Sequence, residues 1–315
     1  MEFTDIRQLT DIRQLGSFSR LGQLNPLLNP LGQQLTQIAQ LGRLGEQLGR
    51  LSPALKAGVL ELAVLSGHLL LYPSGLVPER NQDPDPVEGP PAGIGPPRRP
   101  VVLLHGFVDN RSVFVLLRRS LARHGWRHIE ALNYSPLTCD LRAAAELLGR
   151  HVDAIRARTG QDQVDLVGHS LGGLIARHYV QRLGGDARVR TLVTLGTPHS
   201  GTTVAAPLGD AHPLIRQMRP GSAVLGELAE PAPGCRTRFV SFWSDLDRIM
   251  IPVETARLDH PDLQVHNVRV SGIGHLALPV HPTVAAGIRQ ALASDGLSVA
   301  EETTDRSGDG TCSVA

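Results

Sequence analysis

"DLVGHSLGGLIARHYV", residues 165–180, sets a serine between two glycines where an apolar run changes its period. Upstream, Val164, Leu166 and Val167 read as a short buried strand. Downstream, Leu171, Leu174, Ile175, Tyr179 and Val180 recur at helical spacing. The junction itself, Gly168-His169-Ser170-Leu171-Gly172, has the form Gly-x-Ser-x-Gly on a strand–turn–helix. A turn this sharp strains the serine backbone, and side chains at 168 or 172 would collide with neighbouring strand and helix. It also lifts the hydroxyl above the sheet, where the new helix directs its N–H groups and positive dipole end. Five residues match often by chance. The strand before and the helix after make Ser170 a candidate nucleophile.

A serine hydroxyl is a poor nucleophile at neutral pH and needs a base with a pKa near 7. Thirteen histidines are available. His169 adjoins the serine, but its side chain is expected to point away from the hydroxyl's side of the turn. His105 and His199 fit the pocket wall better. His275 stands in "VSGIGHLALP", on a glycine-rich loop just after the last apolar strand, and is the preferred base. His281 is the runner-up, with a surface position at the start of the last helix as its plainer explanation. An acid that orients the imidazole is expected between serine and histidine in the chain. "SFWSDLDRIMIP", 241–252, supplies Asp245 and Asp247 just past a strand. Asp247 is preferred, and Asp245 remains an alternative orienter or a turn cap. For a tetrahedral oxyanion, "LLHGF", 103–107, ends a strand at Gly106, so the amides of Phe107 and Leu171 can converge on one oxygen.

Around this centre, strands and helices alternate. Strands are expected at 100–106, 128–134, 163–168, 189–196, 238–244 and 263–272, and helices at 113–126, 140–158, 171–183 and 283–293. That order implies an α/β fold, a mostly parallel sheet covered on both faces. Its ligands bind at the carboxyl ends of the strands, where every motif above falls. A catalytic domain is thus expected over 100–295. Residues 1–80 are expected to form a helical, Leu/Gln-rich extension, amphipathic over 1–56 with "TDIRQL" repeated at the start and more apolar over 57–72. The Pro- and Gly-rich stretch 81–99 reads as a linker, and the polar tail 296–315 as disordered.

These residues resemble the α/β-hydrolase superfamily and, within it, compact bacterial lipases and esterases. "VVLLHGF", "VDLVGHSLGG", "LVTLGTPHSGT", "SDLDRIMIP" and "GIGHLALP" appear in the expected order over about 99–293. The resemblance implies an α/β-hydrolase fold, with Ser170 as nucleophile, Asp247 as acid, His275 as base, and Phe107 and Leu171 as oxyanion donors. It also implies hydrolysis of a carboxylic ester, such as an acylglycerol, through an acyl-enzyme. "GTPHSGT", 196–202, resembles the lead into a mobile cover. An insertion at about 200–235, with helical pieces near 211–219 and 221–229, would form that lid. Leu208, Leu214, Ile215 and Met218 offer it an apolar underside for an acyl chain. The first hundred residues match nothing in the family.

Composition narrows the alternatives. The net charge is +1, nearly all basic residues are arginine, and aromatics make up 3%, which argues against nucleic acid and against stacking on sugars or bases. Cys139, Cys235 and Cys312 lie far apart with no metal spacing, and the last loop lacks the acidic pairs that bind calcium in larger relatives. No metal or cofactor is therefore expected. Whether Cys139 and Cys235 pair stays open. The N-terminus lacks a secretory signal pattern, and the apolar stretch 57–72 is short and interrupted by Glu61 and His68. A cytoplasmic or peripherally membrane-associated protein is expected, with residues 1–72 as the lipid-contacting part. Two other functions share the scaffold: an acyltransferase using the same acyl-enzyme, and a non-catalytic binding module.

Overall fold

The computed structural model describes residues 98–134, 140–205 and 212–294, together with Gly58, Glu61, Leu62, Val64–Gly67, Leu70, Tyr72, Pro73 and Gly75. The expectations for residues 1–57, the linker, the tail, Leu208 and Cys139 lie outside them.

Six parallel strands form one sheet in the order β2-β1-β3-β4-β5-β6: β1 (Val101–Leu104), β2 (Ile129–Leu132), β3 (Val164–His169), β4 (Val189–Leu195), β5 (Arg238–Ser244) and β6 (Gln264–Val270). β1 and β3 are buried along their whole length, as central strands covered on both faces are, and the one buried carboxylate in β3, Asp165, is held by Arg190. Alternate side chains serve opposite layers. Val102 and Leu104 enter one apolar cluster, and Val101 and Leu103 the other. Each fully buried leucine here contributes about 2 kcal/mol of transfer free energy.

The first cluster is roofed by α2 (Leu141–Thr159) and α3 (Leu171–Arg182), the second by α1 (Val115–Arg123) and α6 (Pro282–Ala293). Polar caps set the helix ends. Asp140 accepts from the Ala143 amide at 2.8 Å to start α2, and Gly160, in the left-handed region at φ 67°, ends it. The helix expected at 113–126 begins instead as a 3-10 turn at Arg111–Phe114, because the Asn110 side chain caps the Ser112 amide at 2.9 Å. The insertion holds two short helices, α4 (Pro213–Gln217), capped by His212, and α5 (Ala223–Ala229), capped by Ser222.

The chain leaves β1 for β2 and then returns to β3 on the other side, so the order of strands reverses between β1 and β3. In open parallel sheets the binding crevice opens at such a point, beyond the strand ends. Phe107 follows β1 there and Ser170 follows β3.

Candidate active site

Ser170 sits between β3 and α3 with φ 52° and ψ −120°, the one non-glycine with positive φ among the described residues. Such a backbone costs about 1–3 kcal/mol and persists only where its surroundings hold it. Here the Ser170 amide donates to the Leu195 carbonyl at 2.9 Å, and its own carbonyl accepts from the Gly173 amide at 3.0 Å. The two flanking glycines permit close passage. A Cβ on Gly168 would lie 2.5 Å from the Gly173 backbone, and one on Gly172 would strike the Leu104 carbonyl oxygen. Leu171 begins α3, so its amide has no acceptor within the helix.

Beside this turn lies a buried ion pair. His275 Nδ1 is 2.7 Å from Asp247 Oδ2, and both residues are under 5% exposed. The other carboxylate oxygen, Oδ1, accepts from the amides of Ile249 and Met250, each at 2.9 Å. Burial pushes the Asp247 pKa up, but the His275 charge and these hydrogen bonds outweigh it and hold the carboxyl below its ordinary value. Burial likewise pushes His275 down, yet Asp247, with smaller contributions from Glu61 and Asp109, raises it above the ordinary imidazole value. The pair adjoins the serine's strand neighbour. A Cβ on Gly196, which follows Leu195, would lie 3.0 Å from both Asp247 Oδ2 and His275 Nδ1.

The remaining candidates fall into distinct places. Asp245 turns to the β6 end, accepting from the Gly272 amide at 3.2 Å and pairing with Arg269 at 3.1 Å. His281 caps α6 through the Thr283 amide. His105 stacks on Tyr134 with ring centroids 4.2 Å apart, and its Nδ1–H donates to the Gly106 carbonyl. His199 lies deep in the core between Thr194 and Arg177, where burial drives its pKa well down. His169 does not turn away from the site. Its ring centroid lies 4.8 Å from that of His275, and its Nε2–H donates to the His275 carbonyl at 3.2 Å.

Leu214 and Met218 are buried in the cluster that contains Leu171, and Phe107 packs against the same cluster. The Phe107 ring meets His212 edge-on at 5.5 Å. The insertion is also stitched to the Asp247 loop: Thr202 donates its Oγ1 proton to the Ile249 carbonyl at 2.6 Å, and its amide donates to the Met218 carbonyl at 2.9 Å. Cys235 is a free thiol. Among the described residues no cluster of His, Cys, Asp or Glu has metal-binding geometry, and no helix is long and apolar enough to cross a membrane.

Two acidic residues at this edge escaped the sequence pattern. Asp109 Oδ2 lies 3.3 Å from His169 Nδ1. Glu61 reaches the backbone beyond His275. Each carried a faint signal, Asp109 as an acid directly after the β1 motif and Glu61 as an acid within an apolar run.

Sheet order, strand–turn–helix serine and helices on both faces together define an α/β-hydrolase fold, and residues 99–230 match the sequence model described as alpha/beta hydrolase fold. Over part of its length the chain is similar in sequence to lipases. A triacylglycerol lipase of Pseudarthrobacter phenanthrenivorans is 33% identical over 116 residues, covering 34% of this chain and 35% of the relative. One of Burkholderia plantarii is 33% identical over 116 residues, covering 34% of this chain and 32% of its own length. The chain thus spans about a third of the curated relatives it matches. Among solved structures, the mature form of a Bacillus licheniformis lipase superposes with a TM-score of 0.54 at 17% identity, over 66% of this chain and 96% of that one.

Proposed function

We propose that the protein is a serine carboxylic-ester hydrolase that cleaves acylglycerols or related lipid esters through an acyl-enzyme on Ser170. The observation that carries this reading is the buried 2.7 Å hydrogen bond between His275 and Asp247, set beside the strained serine turn. Because Nδ1–H of His275 donates to Asp247, Nε2 carries the lone pair and serves as base. Ser170 Oγ attacks the ester carbonyl carbon as its proton passes to Nε2. The amides of Phe107 and Leu171 stabilise the oxyanion. Collapse of the tetrahedral intermediate breaks the C–O bond, and the imidazolium returns its proton to the departing alcohol. Water then repeats the sequence on the acyl-enzyme and releases the acid.

The triacylglycerol lipases matched over part of their length support a lipid ester as substrate. In this reading Leu214 and Met218 border the acyl chain. Leu62 and Leu70, 65% and 82% exposed, support contact of the segment 1–72 with a lipid surface. The test is hydrolysis of p-nitrophenyl butyrate and of emulsified triacylglycerol by the protein and by Ser170→Ala. Release of alcohol and acid by the first and not by the second is expected. Undiminished turnover in the variant overturns the reading.

A further inference from the structure

Glu61 is a charged residue inside the apolar stretch 57–72, in a helical segment 215 residues before Leu276. A carboxylate in such a run is costly unless its oxygens find donors. It finds two. Oε2 accepts from the Leu276 amide at 3.2 Å and Oε1 from the Ala277 amide at 3.0 Å. Consecutive amides turned to one side form a natural seat for an anion, and this seat begins at the residue directly after His275. The neighbouring position is shaped to admit it: a Cβ on Gly274 would fall 2.5 Å from Glu61 Cγ and Cδ. Gly274 has no positive φ, so close approach of Glu61 is what its missing side chain accommodates.

His275 is thereby gripped from several elements. Its ring is bonded by Asp247 after β5, its carbonyl by His169 at the end of β3, and the amides that follow it by Glu61. We infer that Glu61 is a positioning residue for His275, its carboxylate fixing the 274–277 backbone so that the imidazole keeps its setting against Asp247. The inference rests on the role proposed for His275 in ester hydrolysis. It ties the segment before the linker to the chemistry: the helix bearing Glu61 completes the support of the base. The charged groups that act on the His275 ring are Asp247, Glu61 and Asp109, and the His169 ring lies against it. Loss of the Glu61 charge therefore leaves Asp247 and Asp109 in place and removes one contribution that favours the imidazolium.

The experiment uses the full chain and the variants Glu61→Gln, Glu61→Ala and Gly274→Ala. Two readouts are followed. The His275 ring is titrated by NMR, its signal identified by its disappearance in His275→Asn. Hydrolysis of the soluble ester p-nitrophenyl butyrate is measured per active site, counted by a fluorophosphonate. All three variants are expected to titrate His275 at lower pH than the parent. Their kcat should fall about tenfold or more, as small misplacements of a reacting group cost, with KM within about threefold. Glu61→Gln, which retains one acceptor oxygen, should fall between the parent and Glu61→Ala. A purely structural role would lower thermal stability while leaving the His275 titration and kcat per titrated site unchanged, and that result overturns the inference. Because Glu61→Gln is isosteric, it reports even where Glu61→Ala does not fold. Failure of the hydrolase reading is seen separately, as turnover that survives Ser170→Ala, while the titration still judges Glu61.

Discussion

Asp247→Asn is the substitution whose consequence the geometry fixes most tightly. The asparagine is isosteric, and its one carbonyl oxygen must choose between the two places the carboxylate fills. Oδ1 now accepts from two amides at 2.9 Å, while Oδ2 accepts from a single imidazole N–H at 2.7 Å. Turning the NH2 toward the amides would lose two hydrogen bonds, roughly 1 kcal/mol each, and set donors against donors. The NH2 therefore faces His275 Nδ1, which must then present its lone pair, and the ring proton moves to Nε2. The nitrogen required as base is blocked in the ground state. In a serine–histidine–acid site, this tautomer switch costs about 10⁴ in kcat, or about 5.5 kcal/mol at 1.36 kcal/mol per decade. The assay is steady-state hydrolysis of p-nitrophenyl butyrate at neutral pH, with KM expected to change less than about threefold. A kcat within tenfold of the parent, in a variant with unchanged thermal midpoint, would refute the assignment of Asp247 as orienting acid.

Three further outcomes follow from the structure. Asp247 raises the His275 pKa above its ordinary 6.5, and as the proposed base His275 must be neutral, so the acid limb of kcat/KM is expected above pH 6.5; a limb below that value contradicts the proposed pairing. The linked stability runs the other way for the histidine: its raised pKa gives stability that is full below about pH 6.5 and lost as pH rises through the folded value. The depressed pKa of Asp247 gives stability present above its ordinary 3.8 and lost as pH falls through the folded value, so urea midpoints measured across pH should decline toward both ends. Gly172→Ala forces a methyl onto the Leu104 and His105 carbonyls. It should cost about 2 kcal/mol or more in urea unfolding and lower kcat, and an unfolding free energy equal to the parent's would contradict the close packing of the turn.

The sheet was legible in the sequence because its central strands are buried on both faces. "VVLL" appears as an unbroken apolar run, "VDLVGH" carries Val164, Leu166 and Val167, and all six strands lie within two residues of expectation at both ends. β6 ends at Val270, short of 272, in line with an edge strand whose alternating exposure weakens the pattern. The pairing of His275 with Asp247 in preference to Asp245 depends on which loop turns inward, and that is decided by the Ile249 and Met250 amides that hold Asp247 Oδ1. Glu61 and Asp109 were missed for a different reason. Each meets its partner across a long separation in the chain, Asp109 at the His169 ring and Glu61 at the Leu276 and Ala277 amides, and no local period encodes such a contact. His169 shows the same limit. Its place beside Ser170 says nothing of the hydrogen bond it donates to the His275 carbonyl.

The account stands on Ser170 as a nucleophile activated by His275. Mass spectrometry of the protein after brief exposure to a fluorophosphonate measures that directly. One adduct, on the peptide bearing Ser170, is predicted in the parent, with labelling slowed at least a hundredfold in His275→Ala. A protein that stays unlabelled at Ser170, or one that labels there as fast without the imidazole, would contradict it.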